Sequence, residues 1–154
     1  MARSGSISIR RIEPVPPGRG PVEVDLAMAS DVCQVERAVE LMAGQCFADT
    51  TPCPRTAFRL KVTLAEALSN AILRGNREDP KKRVWVRAEL TNDAIRLSVR
   101  DEGAGIAPPL RTDPYLPADP ETDGGRGLFI IKHLADRVEF NDRGNTIWMT
   151  LPRS

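Results

Sequence analysis

Residues 95–106 read IRLSVRDEGAGI and join a strand pattern to a glycine-rich turn. Apolar and polar residues alternate in the first half of the stretch, as they do in a strand with one buried face. The same alternation puts Asp101 on the apolar side, where a charge is costly unless a partner balances it. Gly103 and Gly105 follow, so that backbone could approach a bound group closely. Alternatively, the strand ends at Arg100 and Asp101 only begins the turn.

Patterns typical of further strands and helices surround this stretch. In chain order they predict a strand at 22–27, a helix capped by Ser30, a helix from about Arg55 to Arg74, strands at 84–90 and 95–99, a helix opened by GGRG at 124–127, and a hairpin around Arg143-Gly144. The order β-α-α-β-β-loop-α-β-β contains about five strands and three helices. This mixture predicts an α+β two-layer sandwich, in which the helices cover one face of a mixed, mostly antiparallel sheet.

Two segments fall outside these predicted elements. Residues 1–21 are rich in Arg, Ser, Pro and Gly, which favours a mobile leader. Residues 107–123 contain five prolines and form a long loop. A loop of that length inside a small domain is usually functional or disordered.

Length, charge and cysteine content exclude several classes of protein. The 154 residues suit one domain, and a net charge of +1 creates no field that would attract nucleic acid or a membrane. No apolar run is long enough to span a bilayer, and the N-terminus has no secretory signal. Three cysteines without a CxxC pair, together with one histidine, disfavour a zinc site. Reduced thiols in a cytoplasmic protein are therefore expected.

The helix KVTLAEALSNAILRGN, residues 61–76, gathers polar side chains in a narrow arc. Glu66 and Asn70 are four residues apart, so their side chains are neighbours. One interpretation is an ordinary solvated face. The other is a functional pair, in which Glu66 accepts a proton and Asn70 offers a neutral oxygen to Mg²⁺.

The helix that starts at GGRG suits an anion. Glycines directly before a helix leave backbone N–H groups free at its positive end, and Arg126 adds a cation. The alternative is a flexible loop end without a role. Other nucleotide signatures are absent from the sequence: it contains no GxxxxGK[ST], no GxGxxG after the first strand, and neither HRD nor DFG.

The order of the three motifs is more specific than any one of them. The motifs are Glu66-x-x-x-Asn70 on a helix, Asp101-x-Gly103-x-Gly105 after a strand and Gly125-x-Gly127 at a helix start. This order resembles the GHKL ATPase superfamily, whose members include histidine kinases and DNA gyrase and whose domain has the Bergerat fold. It is most similar to the bacterial anti-sigma-factor serine/threonine kinases. The resemblance covers residues 22–152, which are identified as a GHKL ATPase/kinase domain.

The resemblance implies a role for the residues at the phosphate end of a nucleotide site. Glu66 would be the base that takes the proton of the attacked hydroxyl, and Asn70 would hold the Mg²⁺ that bridges the phosphates of ATP. Gly125, Arg126 and Gly127 would lie at the phosphates.

The resemblance also implies roles at the base end. Asp101 would accept a hydrogen bond from the exocyclic amine of adenine, and Gly103 and Gly105 would let the backbone close on the base. Residues 107–123 would form the lid. In one departure from the family, Arg74-Gly75 stands where His-Gly is often found.

The function implied is that of a cytoplasmic, ATP- and Mg²⁺-dependent serine/threonine protein kinase that acts as an anti-sigma factor. Its expected partners are a sigma factor, a STAS-type antagonist that it phosphorylates, and a possible second copy in a homodimer. It is not expected to bind nucleic acid or a membrane directly. One alternative is an ATP-binding switch or scaffold without phosphotransfer. Another is a stand-alone catalytic module of histidine-kinase type, although the chain lacks the helical hairpin and a suitable phosphoacceptor histidine.

Overall fold

The computed structural model describes residues 6–106 and 125–153. Within these residues the chain forms six strands and three α-helices, numbered here in chain order. The strands are β1 (Ile7–Ile12), β2 (Val22–Ala29), β3 (Arg83–Leu90), β4 (Ala94–Arg100), β5 (Arg137–Phe140) and β6 (Thr146–Pro152). The helices are α1 (Val35–Cys46), α2 (Pro54–Asn70) and α3 (Gly125–Leu134).

The strands form one open sheet in the order β1-β2-β3-β4-β6-β5, and each neighbouring pair is antiparallel. Alternate side chains of β3 and β4 are buried in one core with the apolar faces of the helices. The helices therefore cover one face of the sheet, and the predicted α+β sandwich is confirmed. The sheet has six strands where the sequence predicted about five.

The additional strand comes from the segment predicted to be a leader. β1 pairs with β2, and its side chains Ile7 and Ile9 pack against the core. Arg11 also donates to a carbonyl oxygen in the last turn of α1, over 2.7 Å. The prediction of a mobile leader over residues 1–21 is therefore wrong for Ile7–Ile12. The stretch ISIRRI has enough alternation to pair, and its Arg and Ser content concealed that pattern.

The centre of the sheet joins strands that are distant in the chain. β2 pairs with β3, with Met28 opposite Val84, although α1 and α2 lie between them in sequence. β3–β4 and β5–β6 are hairpins instead. β6 then pairs with β4, so that Arg100 lies opposite Thr146. The residues that follow β4 and precede β6 are thereby brought together.

The chain enters α1 differently from the sequence prediction. Asp31, rather than Ser30, caps the 3₁₀ turn before this helix, because its carboxylate accepts the Cys33 N–H over 3.0 Å. Ser30 is buried, and its hydroxyl donates to the Lys82 carbonyl oxygen over 2.8 Å. Ser30 therefore ties the end of β2 to the segment before β3.

The end of α2 is not a regular helix end. After Asn70 the backbone widens into a π-helical turn, Ala71–Gly75, closed by a 2.8 Å hydrogen bond from the Asn76 N–H to the Ala71 carbonyl oxygen. Such turns are rare in proteins, and those that occur are often found at functional sites. This one brings Gly75 to the end of β4.

α3 packs on α2 beside the same end of the sheet. Leu128 and Ile131 are buried in the common core. Arg59 on α2 donates to the Leu134 carbonyl oxygen over 2.7 Å and to the Asp136 carboxylate over 3.0 Å, which fixes the C-terminal end of α3. No helix in residues 6–106 and 125–153 has both the length and the apolar character needed to cross a membrane.

Candidate functional site

A cleft of about 570 Å³ opens between the helices and one end of the sheet. One wall is α2 with its π-helical turn, a second is α3, and β4 and β6 contribute the floor. Among the residues that line it are Asn70, Gly75, Asp101, Gly105 and Asn145. The fold thus brings Asn70 of the predicted helix motif to one cleft with Asp101 and Gly105 of the predicted glycine-rich turn. Glu66 is not among the described residues that line it.

Glu66, Asn70 and Gly127 meet where α2 faces the start of α3. A methyl group on Gly127 would lie 2.9 Å from Asn70 Nδ2 and 3.0 Å from Glu66 Oε1. The Asn70 Nδ2 atom is buried and has no hydrogen-bond partner within the described residues. This arrangement favours the functional interpretation of the helix face over a solvated one. A buried amide N–H without a partner suits a ligand that offers a hydrogen-bond acceptor, and the oxygen of the same amide could hold a cation.

The start of α3 agrees only in part with the sequence prediction. The helix begins at Gly125, so the N–H groups of its first turn have no partners within the helix. Arg126 is exposed, and it is not among the described residues that line the cleft. Residues 107–123, predicted to form the lid, lie outside the described part of the chain.

Asp101 lines the cleft beside the π-helical turn and is half-buried. β4 ends at Arg100, as the simpler interpretation has it, yet Asp101 still faces the cleft. Its Oδ1 accepts the Gly103 N–H over 2.7 Å, and its own N–H donates to the Asn145 carbonyl oxygen over 3.0 Å. The Asn145 side chain donates in turn to the Asp101 carbonyl oxygen over 3.2 Å. The turn, and not the strand, aims this carboxylate.

Three glycines let backbone segments interlock around Asp101. A Cβ atom on Gly75 would lie 2.5 Å from Asp101 Oδ2, and one on Gly103 would overlap the Gly75 carbonyl oxygen. Gly105 has a φ of +99°, and a side chain there would overlap the Arg143 carbonyl oxygen. These approaches need glycine at all three positions.

Sequence reasoning missed three residues that build this end of the cleft: Gly75, Asn76 and Asn145. A signal existed for Gly75, because a glycine directly after a functional helix often marks a close approach. No local signal identified the two asparagines, since their partners are distant in the chain. Asn145 lies in the predicted hairpin around Arg143-Gly144, to which no functional role was assigned.

The ionisation of Asp101 gives a pH test of its role. Burial raises the pKa of this carboxyl, although the Gly103 N–H opposes the rise. The folded chain therefore holds this proton more tightly than the unfolded chain does. As the pH rises from the ordinary pKa of an aspartate to the raised pKa of Asp101, ionisation of the carboxyl lowers the free energy of unfolding. The ionised form is also the stronger hydrogen-bond acceptor. We therefore expect ATP affinity to fall as the pH is lowered from neutrality through the raised pKa of Asp101.

Calorimetric titrations with ATP at several pH values check this expectation. Asp101→Asn is the control, because it cannot titrate, and the protonation of ATP itself is common to both proteins. The fall should be steeper for the wild type. Parallel curves for the two proteins would exclude Asp101 as the group responsible.

The fold and the cleft together define an ATPase domain of the histidine-kinase-like class. The defining features are an antiparallel sheet covered by helices, a helix asparagine that faces the start of another helix, and an Asp–Gly turn beside them. The family model of the histidine kinase-like ATPase domain matches residues 22–151, and the chain belongs to this family. Membership of an ATPase family implies that the domain binds ATP.

Several related proteins share one description, "Anti-sigma F factor". That of Oceanobacillus iheyensis is 29% identical over 133 residues, which are 83% of this chain and 90% of the relative. That of Bacillus subtilis is 26% identical over 126 residues, or 79% and 86% of the two chains. That of Geobacillus thermodenitrificans is 30% identical over 95 residues, or 58% and 65%. The resemblance to GHKL anti-sigma factors is confirmed by these similarities.

Proposed function

We propose that this protein is an ATP-dependent serine/threonine protein kinase that acts as an anti-sigma factor in the cytoplasm. It silences a sigma factor by binding it, and it phosphorylates a STAS-type antagonist. The description of its relatives supports the sigma-factor partner, and the ATPase family supports the use of ATP. One observation supports this chemistry: Glu66 Oε1 and Asn70, both on α2, lie next to Gly127 in the first turn of α3.

The base end of the nucleotide is assigned to Asp101 and its turn. The exocyclic amine of adenine donates to the Asp101 carboxylate, whereas guanine carries an acceptor at that position. Gly103 and Gly105 leave the backbone free of side chains next to the base. The half-buried position of Asp101 supports this role, since a carboxylate there gains from a donor supplied by a ligand.

The phosphate end is assigned to Asn70 and the first turn of α3. The N–H groups that begin at Gly125 suit the phosphates. Asn70 would offer its amide oxygen to Mg²⁺, whereas its unpartnered Nδ2 is an N–H donor and suits a phosphate oxygen. When bound, Mg²⁺ would neutralise charge on the phosphates.

Glu66 is the proton acceptor of the proposed transfer. The hydroxyl oxygen of the substrate serine or threonine attacks the γ-phosphorus, and the bond from phosphorus to the β–γ bridging oxygen breaks. ADP leaves with that oxygen, and the hydroxyl proton passes to the Glu66 carboxylate. A base in position contributes about 10²–10⁴ in rate, and alignment and charge neutralisation contribute the rest.

Transfer from γ-labelled ATP to purified STAS-domain proteins of the same cell tests the proposal. We expect acid-stable label on a serine or threonine of one of them, and much less label from γ-labelled GTP. Acid-labile label would indicate histidine-kinase-type chemistry instead. An ATP-dependent complex without any label would indicate a switch that does not transfer phosphate. Either of these two results would overturn the kinase proposal.

A further inference from the structure

Asn76 directly follows the π-helical turn, and only 1% of it is exposed. Its Nδ2 donates to the Ser30 hydroxyl over 2.8 Å and to the Arg83 carbonyl oxygen over 3.0 Å. Its Oδ1 accepts the Glu102 N–H over 2.8 Å. One buried amide therefore joins the end of the π-helical turn, the end of β2, the start of β3 and the turn after β4.

The three partners match the chemistry of asparagine. Two of the hydrogen bonds need N–H donors, and the third needs an acceptor on the other side of the same planar group. Aspartate would keep the acceptor and lose the donors, and alanine would lose both. A further bond supports the junction, because the Arg83 N–H donates to Glu102 Oε2 over 2.7 Å. The Glu102 backbone is thus held through its N–H and through its side chain.

Glu102 is the neighbour of Asp101, so the position of its N–H affects that of the Asp101 carboxylate. This carboxylate lies against Gly75 and accepts the Gly103 N–H. Gly75 in turn directly precedes Asn76. Asn76 therefore holds the wall of the cleft and the turn that carries Asp101 in one arrangement. Because a hydrogen bond weakens steeply as its angle closes, a small shift of this turn would weaken a contact to a bound base.

We propose that Asn76 is a positioning residue for adenine recognition. Its bond to the Glu102 N–H sets the strength of the hydrogen bond between Asp101 and the exocyclic amine of the base. The inference rests on the proposed function, in which Asp101 accepts that amine. Asn76 acts through Asp101 and is not among the described residues that line the cleft.

A ratio of two affinities tests this role. ATP is compared with purine riboside 5′-triphosphate, which lacks only the exocyclic amine, by calorimetric titration with Mg²⁺. We expect the wild type to prefer ATP by about 10- to 150-fold, the range for a hydrogen bond to a charged acceptor. Asn76→Ala should reduce the preference to less than about threefold, because that bond is then poorly aligned. A variant that only disturbed the fold would lower the affinity for both nucleotides by the same factor, and the ratio of the two affinities would not change.

One further variant tests the donor end of the amide. Ser30→Ala removes one partner of Nδ2, and it should lower the melting temperature without changing the ratio. An unchanged ratio in Asn76→Ala would overturn the positioning role, and so would an equal loss of the preference in Ser30→Ala.

If Asn76→Ala does not fold, the wild type supplies the test. The Glu102 amide should exchange slowly with solvent deuterium, and its NMR resonance should shift more with ATP than with purine riboside 5′-triphosphate. Rapid exchange, or the same shift with both nucleotides, would overturn the inference. Equal affinity of the wild type for the two nucleotides would instead refute the adenine-binding role of Asp101, and thus the proposed nucleotide site.

Discussion

Glu66→Gln is expected to slow phosphoryl transfer by about 10²–10⁴-fold, the usual contribution of a positioned general base. Glutamine has the shape of glutamate but cannot take up the hydroxyl proton. The Mg²⁺-dependent affinity for ATP should change by less than about threefold, because Asn70 and Asp101 keep their contacts. Single-turnover transfer of labelled phosphate and calorimetric titration with ATP measure the two effects separately.

Glu40→Gln is the matched control for this variant. Glu40 lies on α1 and pairs with Lys61 over 3.2 Å, and both side chains are exposed. Loss of such a surface pair costs at most about 1 kcal/mol, and transfer should continue at the wild-type rate. Transfer at that rate by Glu66→Gln would show that this carboxylate is not the base. A loss of ATP affinity as large as the loss of transfer would assign Glu66 to binding.

Gly75→Ala is expected to remove most of the ATP affinity. The added Cβ atom would lie 2.5 Å from Asp101 Oδ2, so the carboxylate must move away from its position at the cleft. If Asp101 binds adenine as proposed, loss of its charge-assisted hydrogen bond to the base costs about 1.5–3 kcal/mol, or about 10- to 150-fold in affinity. Calorimetric titration measures the affinity, and thermal unfolding shows whether the variant still folds.

Gly44→Ala provides the same chemical change at a site without contacts. Gly44 lies in α1, and a Cβ atom there would meet nothing within 4 Å. Alanine favours a helix over glycine by about 1 kcal/mol, so this variant should melt at a higher temperature and bind ATP as the wild type does. Wild-type affinity in Gly75→Ala would mean that Asp101 does not occupy this position when the nucleotide binds.

Much of the fold could be predicted from local patterns, because burial of one face imposes a period on the chain. The alternation in VEVDLA, VWVRAEL and IRLSV predicted β2, β3 and β4 correctly. Glu66 and Asn70 were identified for a related reason, since residues four apart on a helix are neighbours. β1 has the same alternation, but its arginines and its distance from the other elements hid it.

Contacts between distant segments could not be predicted in this way. The bond from Asn76 to Ser30 and the bonds between Asn145 and Asp101 depend on strand order, which no local pattern encodes. Gly75 acquires its importance only because the π-helical turn carries it to Asp101. Arg126 stays a prediction: its charge suggests a phosphate contact, and its side chain is exposed on the first turn of α3.

The order of the strands along the chain bears on how the domain folds. The β3–β4 and β5–β6 hairpins close over few residues and can form early. β2 reaches β3 only after the segment carrying α1 and α2 has folded back, which requires the closure entropy of a long loop to be overcome. The cleft also needs the β5–β6 hairpin, because Asn145 and Ile147 line it beside Asp101. A nascent chain on the ribosome therefore completes its nucleotide cleft only when β6 has emerged, and ATP then stabilises the folded domain by binding to it.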